Sequence, residues 1–339
     1  MRRRKFLDRV CRAVASAAIL PFFSGKPELR IQAVAGSIPV SRMGTALPHE
    51  HVMVDFIGAD QASPFRYNVD VVIAKALPHL QRLKTLGCRT LIECTPAYLG
   101  RDPVLLRLLS EHSGLNIITN TGYYAAVQGK YLPASVSRQS AQELADLWTA
   151  EFARGIDGTG VRPGFIKTSV DGAPLTDYNI KVIEAAAIAH KQTGLTIACH
   201  CGSGEAALEA LRRVTDHGVR GSAFIWVHAQ NAGSTRQYLD AAAKGAWIEL
   251  DGLSEESLDD HLERMNFLKS NGLFGQALVS HDAGWYHVGE PDGGTYRSHD
   301  LLFTRFIPLL RSNGYSAADI RQLTERNPAS AFAIQRRLV

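Results

Sequence analysis

The sequence predicts a (β/α)8 barrel, an α/β fold, preceded by a basic leader. Three observations carry this reading. Eight short apolar, β-branched runs alternate with helical stretches along the body, the mark of βα units and a parallel sheet. No glycine-rich phosphate turn follows the first run, where a doubly wound sheet would carry one; His49-Glu50-His51 stands there instead. Metal-capable side chains recur at the ends of five runs, on the rim where such barrels hold their active sites.

The eight expected strands are Thr45–His51, Arg89–Thr95, Asn116–Thr121, Gly164–Thr168, Leu195–His200, Ala223–His228, Ala246–Asp251 and Gln276–Asp282. The clearest helices between them are Val69–Leu86 and Thr176–Thr193, where Ala, Leu and Ile recur at three and four residues, the spacing of one helix face. Gly87, Gly194 and Gly245 stand where a helix gives way to a strand, the usual cap position. Helices Ser298–Ser312 and Ser316–Thr324 follow the last strand, and Asn327-Pro328 opens one more, since proline suits a first helical turn.

The chain has 339 residues, 45% hydrophobic and 21% charged. One barrel plus a leader fits this length better than two equal domains. Of the 37 basic and 33 acidic residues, eight basic and two acidic fall in 1–35, so the rest carries 29 basic against 31 acidic. A near-neutral body has no basic stripe for nucleic acid. The leader reads Arg3-Arg4-Lys5-Phe6-Leu7, then an apolar stretch from Val10 to Phe23 interrupted by Arg12. A basic segment before a short apolar one is the layout of an export signal. It is too short to span a bilayer well. The paired arginines resemble the twin-arginine motif, which implies the twin-arginine export machinery and a periplasmic location. Ala33-Val34-Ala35 is the best cleavage candidate, dividing the chain into a leader, 1–35, and a hydrolase barrel, 36–339. Five cysteines, one of them Cys11 in the leader, do not make a disulfide framework; Cys88, Cys94, Cys199 and Cys201 are expected as reduced core residues.

His49 and His51 are two apart, which turns both rings to one side of a strand and Glu50 to the other. His200, His228 and Asp282 close strands five, six and eight. Imidazoles with a carboxylate suit zinc and similar ions. Singly, each has a structural reading as a bonded core histidine or a capping aspartate; together, in order on strand ends, they point to a metal centre. Lys167 ends strand four after Gly164-Phe165-Ile166, where a buried ammonium is costly unless paired or neutralised. Carbamylation by carbon dioxide would turn it into an anion able to bridge two metals. The plainer alternative is a lysine that snorkels to solvent.

Pro48-His49-Glu50-His51, Phe165-Ile166-Lys167, Ala198-Cys199-His200, Val227-His228 and Ser280-His281-Asp282 resemble the ordered ligand set of the phosphotriesterase family, within the amidohydrolase superfamily. The likeness covers about residues 44–336. It implies two divalent metal ions, zinc by analogy, and a hydroxide nucleophile bridging them. His49, His51 and Asp282 would hold the buried ion, His200 and His228 the exposed one, and carbamylated Lys167 would bridge the pair. Asp282 would also take the nucleophile's proton, so Asp282 and Lys167 are the catalytic candidates. A neighbouring nuclease branch carries a glutamate where Lys167 stands. Two positions depart from the family pattern: Gly252 follows Asp251 where a His or Arg is common, and Asn231 stands for an aspartate. Both belong to a proton exit or substrate contacts in relatives, which puts efficient organophosphate hydrolysis in doubt.

Substrate contacts are expected from Tyr98, Tyr124 and Trp285, in the loops after strands two, three and eight. Gly122-Tyr123-Tyr124 resembles the aromatic after glycine in the family's lactonases, which favours a lactone or carboxylic ester over a phosphotriester. Two other readings stand beside this one: a mononuclear amidohydrolase acting on amides or by deamination, and a non-catalytic exported metal-binding barrel. Relatives are often homodimers, which implies the same here.

Overall fold

A computed structural model describes residues 28–339. The paired arginines, the apolar stretch from Val10 to Phe23 and Cys11 lie outside the described residues. The architecture is the expected (β/α)8 barrel. Its strands are β1 (Ala46–Glu50), β2 (Thr90–Glu93), β3 (in two pieces, Asn116–Ile118 and Asn120–Thr121), β4 (Phe165–Val170), β5 (Ile197–Cys201), β6 (Phe224–Val227), β7 (Trp247–Leu250) and β8 (Ala277–Val279). β1, β2 and the first piece of β3 pair in one ladder, and its second piece continues through β4 to β8 in another. All these pairings are parallel. β1 meets β8 through Asp282 N donating to His49 O at 3.1 Å and His51 N donating to Ala283 O at 2.9 Å. That seam closes the ring at three expected ligands, His49, His51 and Asp282.

Helices α1 (Val69–Thr85), α2 (Pro103–Ser113), α3 (Ala141–Arg154), α4 (Asp177–Thr193), α5 (Gly204–Asp216), α6 (Arg236–Ala243) and α7 (Leu258–Ser270) connect successive strands. Their ends follow local chemistry. Ser140 and Glu143 form a reciprocal capping box at the start of α3. α4 begins at Thr176, whose hydroxyl accepts from Asn179 N, and ends at Gly194 in the left-handed region, φ 79°, where only glycine is free of strain. The expected helices after β8 are present, each with a wider turn: Leu302–Phe306 leads into α8 (Ile307–Ser312), and α9 (Ala317–Arg321) runs through Gln322–Arg326 into α10 (Asn327–Phe332). No helix among the described residues is long and apolar enough to cross a membrane.

Two expectations are corrected. β4 does not end at Lys167 but runs on to Val170, because its register with β5 continues from Lys167 opposite Ala198 to Val170 opposite Cys201. Lys167 is therefore an interior strand residue. The stretch given to the leader also reaches too far. Arg30–Ala33 pairs with Gly36–Pro39 in an antiparallel hairpin. Val34 N donates to Ile117 O at 2.8 Å, and Ile334 N to Arg30 O at 2.9 Å. Ile31 and Ala33 are buried with Ile92, Ile118, Phe165 and Phe332, so the hairpin and α10 plug the floor of the barrel. Cleavage after Ala35 would remove a core strand. Cys88, Cys94, Cys199 and Cys201 are free and buried, as expected.

Candidate metal centre

The open end of the barrel gathers all six expected ligands. His49, His51, Lys167, His200, His228 and Asp282 line one pocket of about 100 Å3, together with Tyr124 and Trp285. Ligand atoms lie within 4.8 Å of one another in two sets, His49, His51 and Asp282, and His49, His228 and Asp251. The sets share His49, the first facing the pocket and the second joining His49 and His228 through Asp251 behind their rings. His200 and Lys167 complete the same wall, with Lys167 only 2% exposed.

Hydrogen bonds behind the rings decide which nitrogens are free. Thr95 Oγ1 donates to Met53 O at 3.0 Å and lies 2.7 Å from His51 Nδ1. Its proton is spent on the carbonyl, so His51 Nδ1 is the donor and Nε2 carries a lone pair. His228 Nδ1 lies 2.6 Å from Asp251 Oδ1, and His49 Nδ1 lies 3.2 Å from both Glu249 Oε2 and Asp251 Oδ2. These carboxylates accept, so both Nε2 atoms are left for the pocket, an arrangement typical of metal-ligating histidines. Asp282 Oδ1 faces them, 2.9 Å from His51 Nε2 and 3.6 Å from His49 Nε2. That oxygen is buried and has no hydrogen-bond partner. Lone pairs converging on an orphaned carboxylate oxygen are a donor set that fits a divalent cation.

The electrostatics agree. Burial and the Lys167 charge pull the His49 pKa down, but Asp251 and Glu249 outweigh them and raise it to about 10. The carboxylates behind His49 therefore hold a second proton on the ring at neutral pH, which a bound cation would displace from Nε2. Burial, with the charges of His228 and Lys167, holds His200 well below the usual histidine range, toward the neutral form a metal requires. Burial alone would raise Asp282, but His51, His49 and His228 hold it ionised far below the carboxylate range.

His228 and Asp282 have left-handed backbones, φ 62° and 52°, a strain of about 1–3 kcal/mol each that surrounding contacts must hold. Asp251 Oδ2 accepts His228 N at 2.9 Å. Glu50, which faces away from the pocket as expected, accepts His281 N and Ala283 N, both at 3.0 Å, and so clamps both sides of Asp282.

Tyr124 and Trp285 stand at the pocket as expected. The Tyr124 hydroxyl is 3.2 Å from either ring nitrogen of His200, and Trp285 meets His51 edge-on at 5.5 Å. With Val54, Phe56 and Leu99 they make an apolar wall. Tyr98 does not join them. Its left-handed backbone, φ 64°, accompanies a ring packed on Tyr123 at 5.5 Å, and it lines a separate cavity of about 640 Å3 with Arg101 and Trp148. Sequence reasoning missed Glu249, Gln230 and Thr95. Glu249 and Asp251 are two apart on β7 and its end, the same alternation that exposes His49 and His51, and that signal could have found them.

The model of the "Phosphotriesterase family" matches residues 29–332. The chain belongs to the phosphotriesterase family. It is 31% identical to the "Phosphotriesterase homology protein" of Escherichia coli (strain K12) over 85% of this chain and 98% of that one. It is 29% identical to the "Aryldialkylphosphatase" of Saccharolobus solfataricus over 88% and 97%. A mutant organophosphorus hydrolase from Deinococcus radiodurans superposes with a TM-score of 0.82 at 25% identity, covering 91% of this chain and 99% of that one. This phosphotriesterase-family chain is accordingly a metal-dependent hydrolase, with its ester-cleaving centre on the barrel rim.

Proposed function

We propose that the chain hydrolyses lactones or carboxylic esters of small molecules at two divalent ions, zinc by preference, with phosphotriesters as a side activity. The observation that carries this reading is the convergence of His49, His51, Lys167, His200, His228 and Asp282 on one pocket walled by apolar side chains. His49, His51 and Asp282 would hold one ion, His200 and His228 the second, and a carbamate on Lys167 would join them. Bound ions supply Lewis acidity, which brings water within reach of ionisation near neutral pH. Val54, Phe56, Leu99 and Trp285 offer the acyl chain a dry surface. The Tyr124 hydroxyl stands beside His200, where it can donate to the carbonyl oxygen. As water adds to the carbonyl carbon, the Asp282 carboxylate takes its proton. The acyl–oxygen bond then breaks and the proton passes to the leaving alkoxide.

The departures at Gly252 and Asn231 favour this substrate class. An alkoxide needs the proton that Asp282 collects. An acidic phenol, the usual leaving group of an activated phosphotriester, departs as phenolate without that proton, so the proton Asp282 takes from water must reach solvent by another route, and Gly252 and Asn231 offer no titratable group for it.

The test is proton release by zinc-loaded protein against a lactone series, aryl esters and a phosphotriester, with His200→Ala as control. Lactone turnover lost in the control supports the proposal. Turnover confined to amides, or none despite two bound ions, rejects it.

Two further parts rest on other features. The leader sequence supports export by the twin-arginine machinery to the periplasm; a Lys-Lys replacement of Arg3-Arg4 should then trap the protein in the cytoplasm. Exposed Val104 and Leu147 line the larger cavity, as does Pro64, whose chain neighbour Phe65 is 94% exposed; these apolar side chains suit a homodimer face. Phe65→Glu should shift sedimentation to the monomer.

A further inference from the structure

We infer that Gln230 is a positioning residue for both halves of the metal centre, and that Gly252 is glycine to make room for it. This rests on the two-ion reading above.

Asp251 is fully buried and serves four donors. Oδ1 receives His228 Nδ1 at 2.6 Å and Gln230 Nε2 at 2.8 Å. Oδ2 receives His228 N at 2.9 Å and faces His49 Nδ1 at 3.2 Å. One carboxylate thus orients a histidine from each half of the site, and its own orientation sets theirs. Gln230 holds that carboxylate from the far side. The turn Ala229–Asn231 that follows β6 brings the Gln230 side chain back over the end of β7. Its Nε2 bonds the Asp251 carboxylate, and its Oε1 accepts Asp251 N at 3.2 Å. A single amide engages the side chain and backbone of the same residue. That two-point contact resists rotation of the carboxylate, which a single bond would not.

Gly252 explains itself in the same geometry. Its backbone is not in the left-handed region, so conformation does not demand glycine there. Space does. A Cβ at 252 would lie 2.8 Å from Gln230 Nε2, 3.3 Å from its Cδ and 3.4 Å from its Cγ. Any side chain at 252 would press on the amide that holds Asp251. The two positions therefore act as one device, with glutamine filling the space that a larger residue after Asp251 would occupy.

The device acts on metal retention, so metal is the readout. Zinc affinity is measured by competition with a chromophoric chelator on wild type, Gln230→Met, Gly252→Ala and the double variant, with His200→Ala as control. Methionine keeps the length of glutamine and removes both hydrogen bonds, and circular dichroism and thermal unfolding confirm that each variant is folded. Groups that orient metal ligands are worth about 10–100-fold in affinity. The expected result is that Gln230→Met and Gly252→Ala each weaken both ions, by about 10-fold or more. The double variant should be no weaker than Gln230→Met alone, because the displaced amide is already gone. Wild-type affinity in both single variants, with one ion lost in His200→Ala, would overturn the inference and leave the two-ion reading standing. Fully additive losses would overturn the coupling of 230 with 252. Failure of the wild type to take up a second ion would overturn both readings.

Discussion

Glu50 Oε1 lies 2.6 Å from His281 Nδ1, and this contact fastens β1 to the end of β8 beside a metal ligand. The same oxygen accepts Ser280 Oγ at 2.7 Å. His281 Nε2 in turn accepts Leu302 N at 2.9 Å, so the ring links Glu50 to the start of the helix after the long loop. Burial would raise Glu50, but the His281 ring and its hydrogen bond hold the carboxyl down at about 2.

Glu50→Gln should therefore be costly without touching the pocket. It exchanges a carboxylate with donors on every side for an amide that must present N–H to one of them. Leaving a buried donor opposed costs roughly 2–4 kcal/mol. Denaturant unfolding at neutral pH checks this, and a loss under about 0.5 kcal/mol would show that the seam is held by packing instead.

Glu93 predicts a pH dependence of stability. Burial pushes its carboxyl up from 4.5 to about 7, and Oε2 has no hydrogen-bond partner. Below pH 4.5 both the folded and the unfolded chain carry the proton. Between 4.5 and 7 only the folded chain keeps it, so stability falls as pH rises through that window and levels off above it. Glu93→Gln removes this titration. The variant should exceed wild type above pH 7 by an amount on the order of 3 kcal/mol, and match it near pH 4.5. Urea midpoints from pH 5 to 8 test the sign; parallel curves for the two proteins would contradict it.

The sequence shows the ligands more clearly than their supports, for a physical reason. His49, His51, His200 and His228 sit on or beside barrel strands, where a period of two fixes the side each ring faces, so chain order alone places them on one rim. Gln230 sits on a short turn, and nothing in its local sequence says that its amide returns over β7. Tyr98 lies away from the ligand pocket for the same reason, since its left-handed backbone is set by the fold of the loop. The floor hairpin is hidden differently: Arg30–Ala33 is a short strand that follows the apolar stretch of the leader and reads as its continuation. Lys167 was legible as buried but not as mid-strand, because the ladder with β5 outruns the apolar pattern.

The carbamate proposed on Lys167 predicts a requirement for carbon dioxide during metal loading. Lys167 is buried beside His49 and His200, and its charge opposes protonation of both. Two divalent ions would raise the positive charge there further, which favours converting the amine to an anion. Zinc uptake by stripped protein should be slow or incomplete in degassed buffer and should reach two ions when bicarbonate is added. Lys167→Ala should bind fewer than two and ignore bicarbonate. Full loading of Lys167→Ala, counted by metal analysis, would remove the lysine from the bridge.

Tyr124 and Tyr98 give the sharpest separation of substrate contact from loop packing. Burial and the Asp282 charge keep the Tyr124 hydroxyl protonated far above neutral pH, so at working pH it is a donor, and it stands 3.2 Å from His200. A neutral hydrogen bond of about 1 kcal/mol corresponds to roughly 5-fold in rate. Tyr124→Phe should lower kcat/KM for a lactone by about 5–10-fold while leaving metal content intact, since phenylalanine keeps the ring on Tyr131 and loses only the hydroxyl. If that bond strengthens as the carbonyl oxygen gains charge, the loss falls on kcat; if it serves binding alone, KM rises instead. Tyr98→Phe, whose ring lines the neighbouring cavity, should leave both constants unchanged. A larger effect at Tyr98 than at Tyr124 would mean that substrate reaches the 640 Å3 cavity, and the wall formed by Trp285 and Phe56 would then not be the surface that selects the acyl group.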